Sequence, residues 1–196
     1  MSKKNLKMLA AILICGTAWM TSCNGNANTE KAAEDSVAVV ENEDSYLTAV
    51  DRYLVDSVGS HYQQGEVCIP CAHIVEVDEQ NPDSVLVWGD FWVFNYNVVG
   101  DTLKTVSGGS HPGLMCVQKT DEGYKVTSFD QVADGSRNLE SAKRIFGDKY
   151  EAFHAINSDE KKREEARGNL VSKYVKENNL EVKLYQDYGW PAIALP

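Results

Sequence analysis

The chain has 196 residues, with 19 Lys+Arg against 29 Asp+Glu and a formal charge of −10. At 43% hydrophobic and 24% charged it is too apolar for a wholly disordered chain, and it has the length of one domain with a tail. The acidic balance excludes a protein held to nucleic acid by bulk charge. No apolar run reaches the roughly 18–20 residues of a transmembrane helix.

The first elements belong to export. Lys3, Lys4 and Lys7 precede a short apolar run from Met8 to Thr17, and Met20-Thr21-Ser22-Cys23 follows. A small residue before a cysteine at this depth resembles the lipobox of bacterial prolipoproteins. The resemblance implies cleavage before Cys23 and lipidation of that cysteine, so residues 1–22 are read as a signal peptide. Removing them takes away three lysines and no acidic residue, which moves the charge from −10 to −13. Residues 23–44 are small, polar and acidic, with too few large apolar side chains to offset ordering entropy, and are read as a flexible tether. The expected location is therefore the bacterial cell envelope, with the outer membrane favoured. The protein would be held to the membrane by lipid, with its domain in the periplasm or on the cell surface.

Residues 45–196 read as a single domain. Leu47, Val50, Leu54 and Val58 form a helical stripe that Asp44 or Ser45 can cap and Gly59 can close. Val67 to Val77 is strand-like, with Pro70 suited to an edge. Asn81-Pro82-Asp83 is a turn. Val85 to Val99 is dense in β-branched and aromatic residues, and Gly89 within it suggests a bulge. Gly100-Asp101 fits a two-residue hairpin turn. Thr102 to Ser107 returns, a glycine-rich corner follows from Ser107 to Gly113, and Leu114 to Lys119 and Tyr124 to Val132 complete an antiparallel meander. Helices are expected over Leu139 to Phe146 and from a capping box at Asp148 to about Ile156. A longer one is expected after a Ser158 cap, burying Ala166, Leu170, Val171, Tyr174 and Val175. The charges from Glu160 to Glu165 read as a solvated face, and Val182 to Tyr185 as a short edge strand.

The fold class is thus α+β: an N-terminal helix on a curved antiparallel meander of four to five strands, followed by C-terminal helices. Its element order resembles the cystatin-like and nuclear-transport-factor-like layouts. The run GDFWVFNYNVVGDTLKTVSGGSHPG is similar to a segment of lipoproteins from Bacteroides-type bacteria. Neither resemblance carries an activity or a functional residue across.

Candidate chemistry is sparse. Cys68-Ile69-Pro70-Cys71 has a redox-like spacing, but its flanks are strand-like and the helix N-terminus such a motif requires is missing. Cys68, Cys71 and Cys116 are candidates for a disulfide in an oxidising compartment, or for free thiols. Residues three apart in a strand point to opposite faces, so Cys68 and Cys71 could bond only if Pro70 turns the chain. Cys68, Cys71 and His73 lack an evident fourth ligand for zinc, and no metal or cofactor is expected. Asp90 and Asp130 sit beside apolar neighbours, and His111 lies in the glycine-rich segment. With Trp88, Trp92, Phe94 and Tyr96 they could line a pocket as acid-base groups. The leading expectation is a lipid-anchored, non-catalytic binding or accessory protein whose aromatic strand contacts an unknown protein or small-molecule ligand. The alternatives are a small pocket enzyme using Asp90, His111 or Asp130, and, more weakly, a thiol-disulfide factor through Cys68 and Cys71.

Overall fold

The computed structural model describes residues 45–196; the expected signal peptide, tether and lipidation site at Cys23 lie outside the described residues. Its first helix, α1 (Tyr46–Tyr53), starts where the Ser45 hydroxyl accepts from the Thr48 backbone N–H, 3.1 Å away. The helix widens into a π-turn over Leu54–Val58 and ends in a 3-10 turn at Gly59–His61. Ala49, Val50 and Leu54 are buried, whereas Leu47, expected on the same stripe, is 40% exposed.

Four long strands form the meander: β1 (Val67–Asn81), β2 (Ser84–Val99), β3 (Thr102–Thr120) and β4 (Gly123–Gln131). Each pairs antiparallel with the next. Pro70 does sit on an edge strand, since among the described residues β1 has only β2 beside it. The irregularity anticipated at Gly89 falls on its partner: β1 carries an extra residue between Ile74 and Glu76, opposite Gly89 and Trp88. The Gly100-Asp101 hairpin is as expected, with Val99 opposite Thr102 and Gly100 at φ 63°.

The glycine-rich corner is not a corner. Ser107 to Gly113 continues β3 without a break, in register with β2 from Asn95 to Gly89. The glycines answer to close approach rather than to turning. A Cβ at Gly108 would collide with the Val93 carbonyl, one at Gly109 with the Tyr62 hydroxyl, and one at Gly113 with the Asp130 carbonyl.

After the sheet come α2 (Asn138–Phe146), α3 (Tyr150–Asn157) and α4 (Glu160–Glu177). The expected capping box at α3 is absent, because Asp148 instead pairs with Lys149 at 2.9 Å. Asp159, not Ser158, caps α4, accepting from the Lys162 N–H, while the Ser158 hydroxyl donates to the His154 carbonyl. Two short strands follow. β5 (Leu184–Gln186) runs parallel to the start of β3, and β6 (Ile193–Ala194) pairs with β5. The expected edge strand near Tyr185 is therefore interior to the sheet, and β6 was not anticipated.

Strand alternation divides the core. Val85, Val87, Phe91, Met115, Val117 and Val126 face α1 and enclose Val50 and Leu54. On the opposite face, Ile69, Cys71, Trp92, Tyr96 and Leu103 meet Val171 and Val175 of α4. Trp88 and Leu114 meet Ile145, Phe146 and Phe153 of α2 and α3. The Trp88 indole also donates to the Ile145 carbonyl at 2.9 Å. The fold is the expected α+β arrangement, with helices on both faces of an open sheet of six strands among the described residues.

One charge is held against this packing. Burial raises the Asp51 carboxyl on α1 from its ordinary value to about 6; Lys173 of α4 opposes the shift and Glu177 adds to it. The folded state thus takes up a proton between about pH 4 and 6 that the unfolded chain does not, so this group's contribution to stability increases as pH falls through that window. Asp51→Asn is expected to raise stability at pH 7 by on the order of 1–2 kcal/mol and to flatten its pH dependence between about pH 4 and 6. Urea titrations at several pH values check this; an unchanged pH profile would refute it.

Candidate functional site

The polar centre of the described residues is Arg167, projecting from α4 onto the sheet. Its guanidinium forks onto Asp187, with Nη1 to Oδ2 at 2.7 Å and Nη2 to Oδ1 at 2.9 Å. Nη2 also reaches the Tyr96 hydroxyl at 3.0 Å and Thr105 Oγ1 at 3.2 Å. Thr105 Oγ1 in turn donates to Asp187 Oδ1. The guanidinium carbon lies 3.9 Å from the Phe94 ring centre and 4.8 Å from that of Tyr185. Burial works against the charge on Arg167, but the bonds to Asp187 and the contact with Tyr96 outweigh it and raise its pKa further. The Arg167 bond holds the Asp187 carboxyl below its usual value. Planar, bidentate and stacked, the pair suits arginine alone; lysine offers only a point charge.

Beside this pair opens a groove of about 650 Å³. Trp92 and Phe94 of β2 form its floor, with Gly109 and Ser110 of β3 beside them. One wall is α4, which presents Glu160, Arg163, Glu164 and Arg167 at i, i+3, i+4 and i+7. The other wall is the C-terminal segment, with Tyr185, Trp190, Pro191 and Ile193. Trp190 is 68% exposed. Sequence reasoning missed this wall, because it read the charges on α4 as merely solvated. The available signal was the helical spacing of Glu160, Arg163, Glu164 and Arg167, ahead of a C-terminal tryptophan.

The three acid-base candidates do not converge. Asp90 is buried on the groove side of β2, where it accepts from the Ser110 hydroxyl at 2.6 Å and the Asn157 amide at 3.1 Å. Only Ser110 connects it to the groove. His111 points to the α1 face. Gln131 Nε2 contacts its Nδ1 at 3.0 Å and the Tyr62 hydroxyl its Nε2 at 2.9 Å. Burial lowers its pKa, with the Gln131 contact and Asp90 opposing. Asp130 forks onto Arg144 at 2.7 and 3.0 Å, and that bond lowers its pKa. His73, opposite Asp90 in the β1–β2 register, stacks on Trp92 with ring centres 5.7 Å apart, and its Nε2 is buried without a partner.

Cys68, Cys71 and Cys116 are free thiols, so the disulfide considered among them is not formed. Pro70 stays within the strand opposite Val93, which leaves Cys68 and Cys71 on opposite faces. Cys116 lies on β3 with β2 between it and β1, roughly 9–10 Å across the sheet and beyond disulfide reach. Cys71 is fully buried, and desolvation pushes its thiol up, away from the depressed value that makes a redox nucleophile. Among the described residues no three His, Cys, Asp or Glu side chains gather as metal ligands. Compared with protein-family models, with curated proteins and with solved structures, the chain matches none.

Ser110→Ala would leave buried Asp90 with Asn157 as its remaining side-chain donor. The substitution is expected to cost about 1–3 kcal/mol, read as a lower denaturation midpoint. An unchanged midpoint would mean that the Ser110 bond contributes nothing to holding the carboxylate.

Proposed function

We propose that this chain is a lipid-anchored binding protein of the bacterial cell envelope, tethered through Cys23, whose ligand enters the groove between α4 and the C-terminal segment. The observation that carries the reading is the groove itself. An open cleft of about 650 Å³ has aromatic walls and convergent polar groups, which is the usual make-up of a recognition site. Its charged centre is already neutralised internally, since Arg167 is spent on Asp187. That suits a surface that orients a partner rather than one that performs chemistry. The separation of Asp90, His111 and Asp130 weighs in the same direction. A general acid and base must both reach one reacting group, and here His111 lies on the far side of the sheet from Asp90.

Two variants test the two halves of the proposal. Cys23→Ala is expected to move the protein from the membrane to the soluble fraction, and unchanged membrane retention would refute the anchor. Trp190→Ala is expected to abolish retention of bound material from envelope extracts. Leu139→Ala, which alters an exposed apolar residue on α2, should leave it intact. Equal retention by both variants would rule the groove out.

A further inference from the structure

The groove opens onto a break in the sheet. On its outer side β3 pairs with β5 at Thr102–Lys104 and with β4 at Gly113–Thr120. Among the described residues no strand pairs with 105–111 on that side, and the Pro112 carbonyl already accepts from the Val132 N–H, which leaves roughly 23 Å of edge at the usual strand rise. Elsewhere the sheet protects its margin. The free edge of β1 carries Pro70, Glu76, Asp78 and Glu79, the residue types that discourage strand addition. The stretch Thr105 to Ser110 carries no charge and no proline, and its two glycines lie against Phe94 and the Tyr62 hydroxyl, so only the in-plane edge of the strand is open.

The surroundings specify what could fill it. On one face the gap is backed by the segment after α1: the Ser107 hydroxyl donates to the Gln63 carbonyl, and Tyr62 meets His111. On the other face lies the groove. Both groove arginines are turned to internal partners, Arg167 to Asp187 and Arg163 to the Asn157 carbonyl. Glu160 and Glu164, one turn apart on α4, enter no ion pair among the described residues and line the groove beside Trp92 and Trp190. Uncommitted carboxylates beside aromatic faces favour a cation.

We infer that the groove, taken as the ligand site proposed above, receives an extended basic peptide of a partner protein. The peptide adds a strand to β3 between Thr105 and His111 and directs alternate side chains, cationic and aromatic, toward Glu160, Glu164 and the tryptophans. Main-chain hydrogen bonds to β3 supply affinity independent of sequence, and the groove supplies the preference for charge.

The test uses the blocked pentapeptide acetyl-Lys-Thr-Phe-Thr-Lys-amide with the full-length mature chain. Tryptophan fluorescence reads binding, and amide hydrogen exchange reads the edge. The peptide is expected to bind with slowed exchange at alternate amides between residues 106 and 110. The version with Glu in place of Lys should bind about tenfold more weakly or worse, and so should the E160Q/E164Q variant with the basic peptide. Versions N-methylated on alternate amides, in both phases, should include one that does not bind. Three results would overturn the inference: no binding at about 1 mM peptide, equal binding of the acidic version, or binding without slowed exchange at the edge. A maltohexaose that quenches fluorescence in the wild type but not in Trp190→Ala, where the peptide does not bind, would overturn the peptide and leave the groove standing. Loss of both the peptide and the Trp190-dependent retention described above would remove the groove as well.

Discussion

The pairing of Arg167 with Asp187 is the constraint on which the groove depends. A single guanidinium joins four parts of the chain: α4, which carries it; β2, through Tyr96 and Phe94; β3, through Thr105; and the segment after β5, through Asp187. A largely buried charge is costly unless it is paired, and here the fork and the hydroxyls engage both terminal nitrogens while the aromatic faces flank the guanidinium plane. Only Nε lacks a partner. The pair adds a polar tie to the apolar one, since β5 is otherwise held by buried Tyr185 and by the bonds from the Lys183 and Leu184 N–H groups to the Asp101 carbonyl. The wall bearing Trp190 follows directly from β5.

The sheet acts as a partition as well as a scaffold. Period-two alternation sends Phe91 and His111 to the α1 face and Asp90, Trp92 and Ser110 to the α4 face, so the side chains of neighbouring strand residues point to opposite sides of the sheet. The same rule keeps Cys68 from Cys71. It also explains why β3 carries so many glycines. Tyr62 crosses one face of its middle and β2 presses on its backbone, so the strand stays slim where it passes from one partner, β5, to the other, β4.

Much of the fold was legible in the sequence. Gly100-Asp101 specified its hairpin, Val85 to Val99 was unmistakably a strand, and the stripe from Ala166 to Val175 correctly gave the buried face of α4. The glycine-rich run misled because glycine's commonest service is in turns, whereas here it answers to crowding that only the tertiary structure creates. Caps were misplaced by one residue between Ser158 and Asp159, since both side chains can accept a backbone N–H and local geometry decides. The groove was largely hidden. Trp92 and Phe94 were seen as pocket candidates, but their partners come from α4 and the last ten residues, more than sixty positions away. Arg167 lies beyond the charged run from Glu160 to Glu165, and its role follows from Asp187 arriving by a parallel strand pairing that no local pattern announces.

A double-mutant cycle across the pair tests the central claim most directly. Urea stabilities of the parent, Arg167→Met, Asp187→Asn and the double variant should yield a coupling of at least about 1 kcal/mol. Amide exchange in β5 and β6 should quicken in each single variant. A coupling near zero, with exchange in β5 and β6 unchanged, would contradict the account: the groove wall would then be held by something other than Arg167.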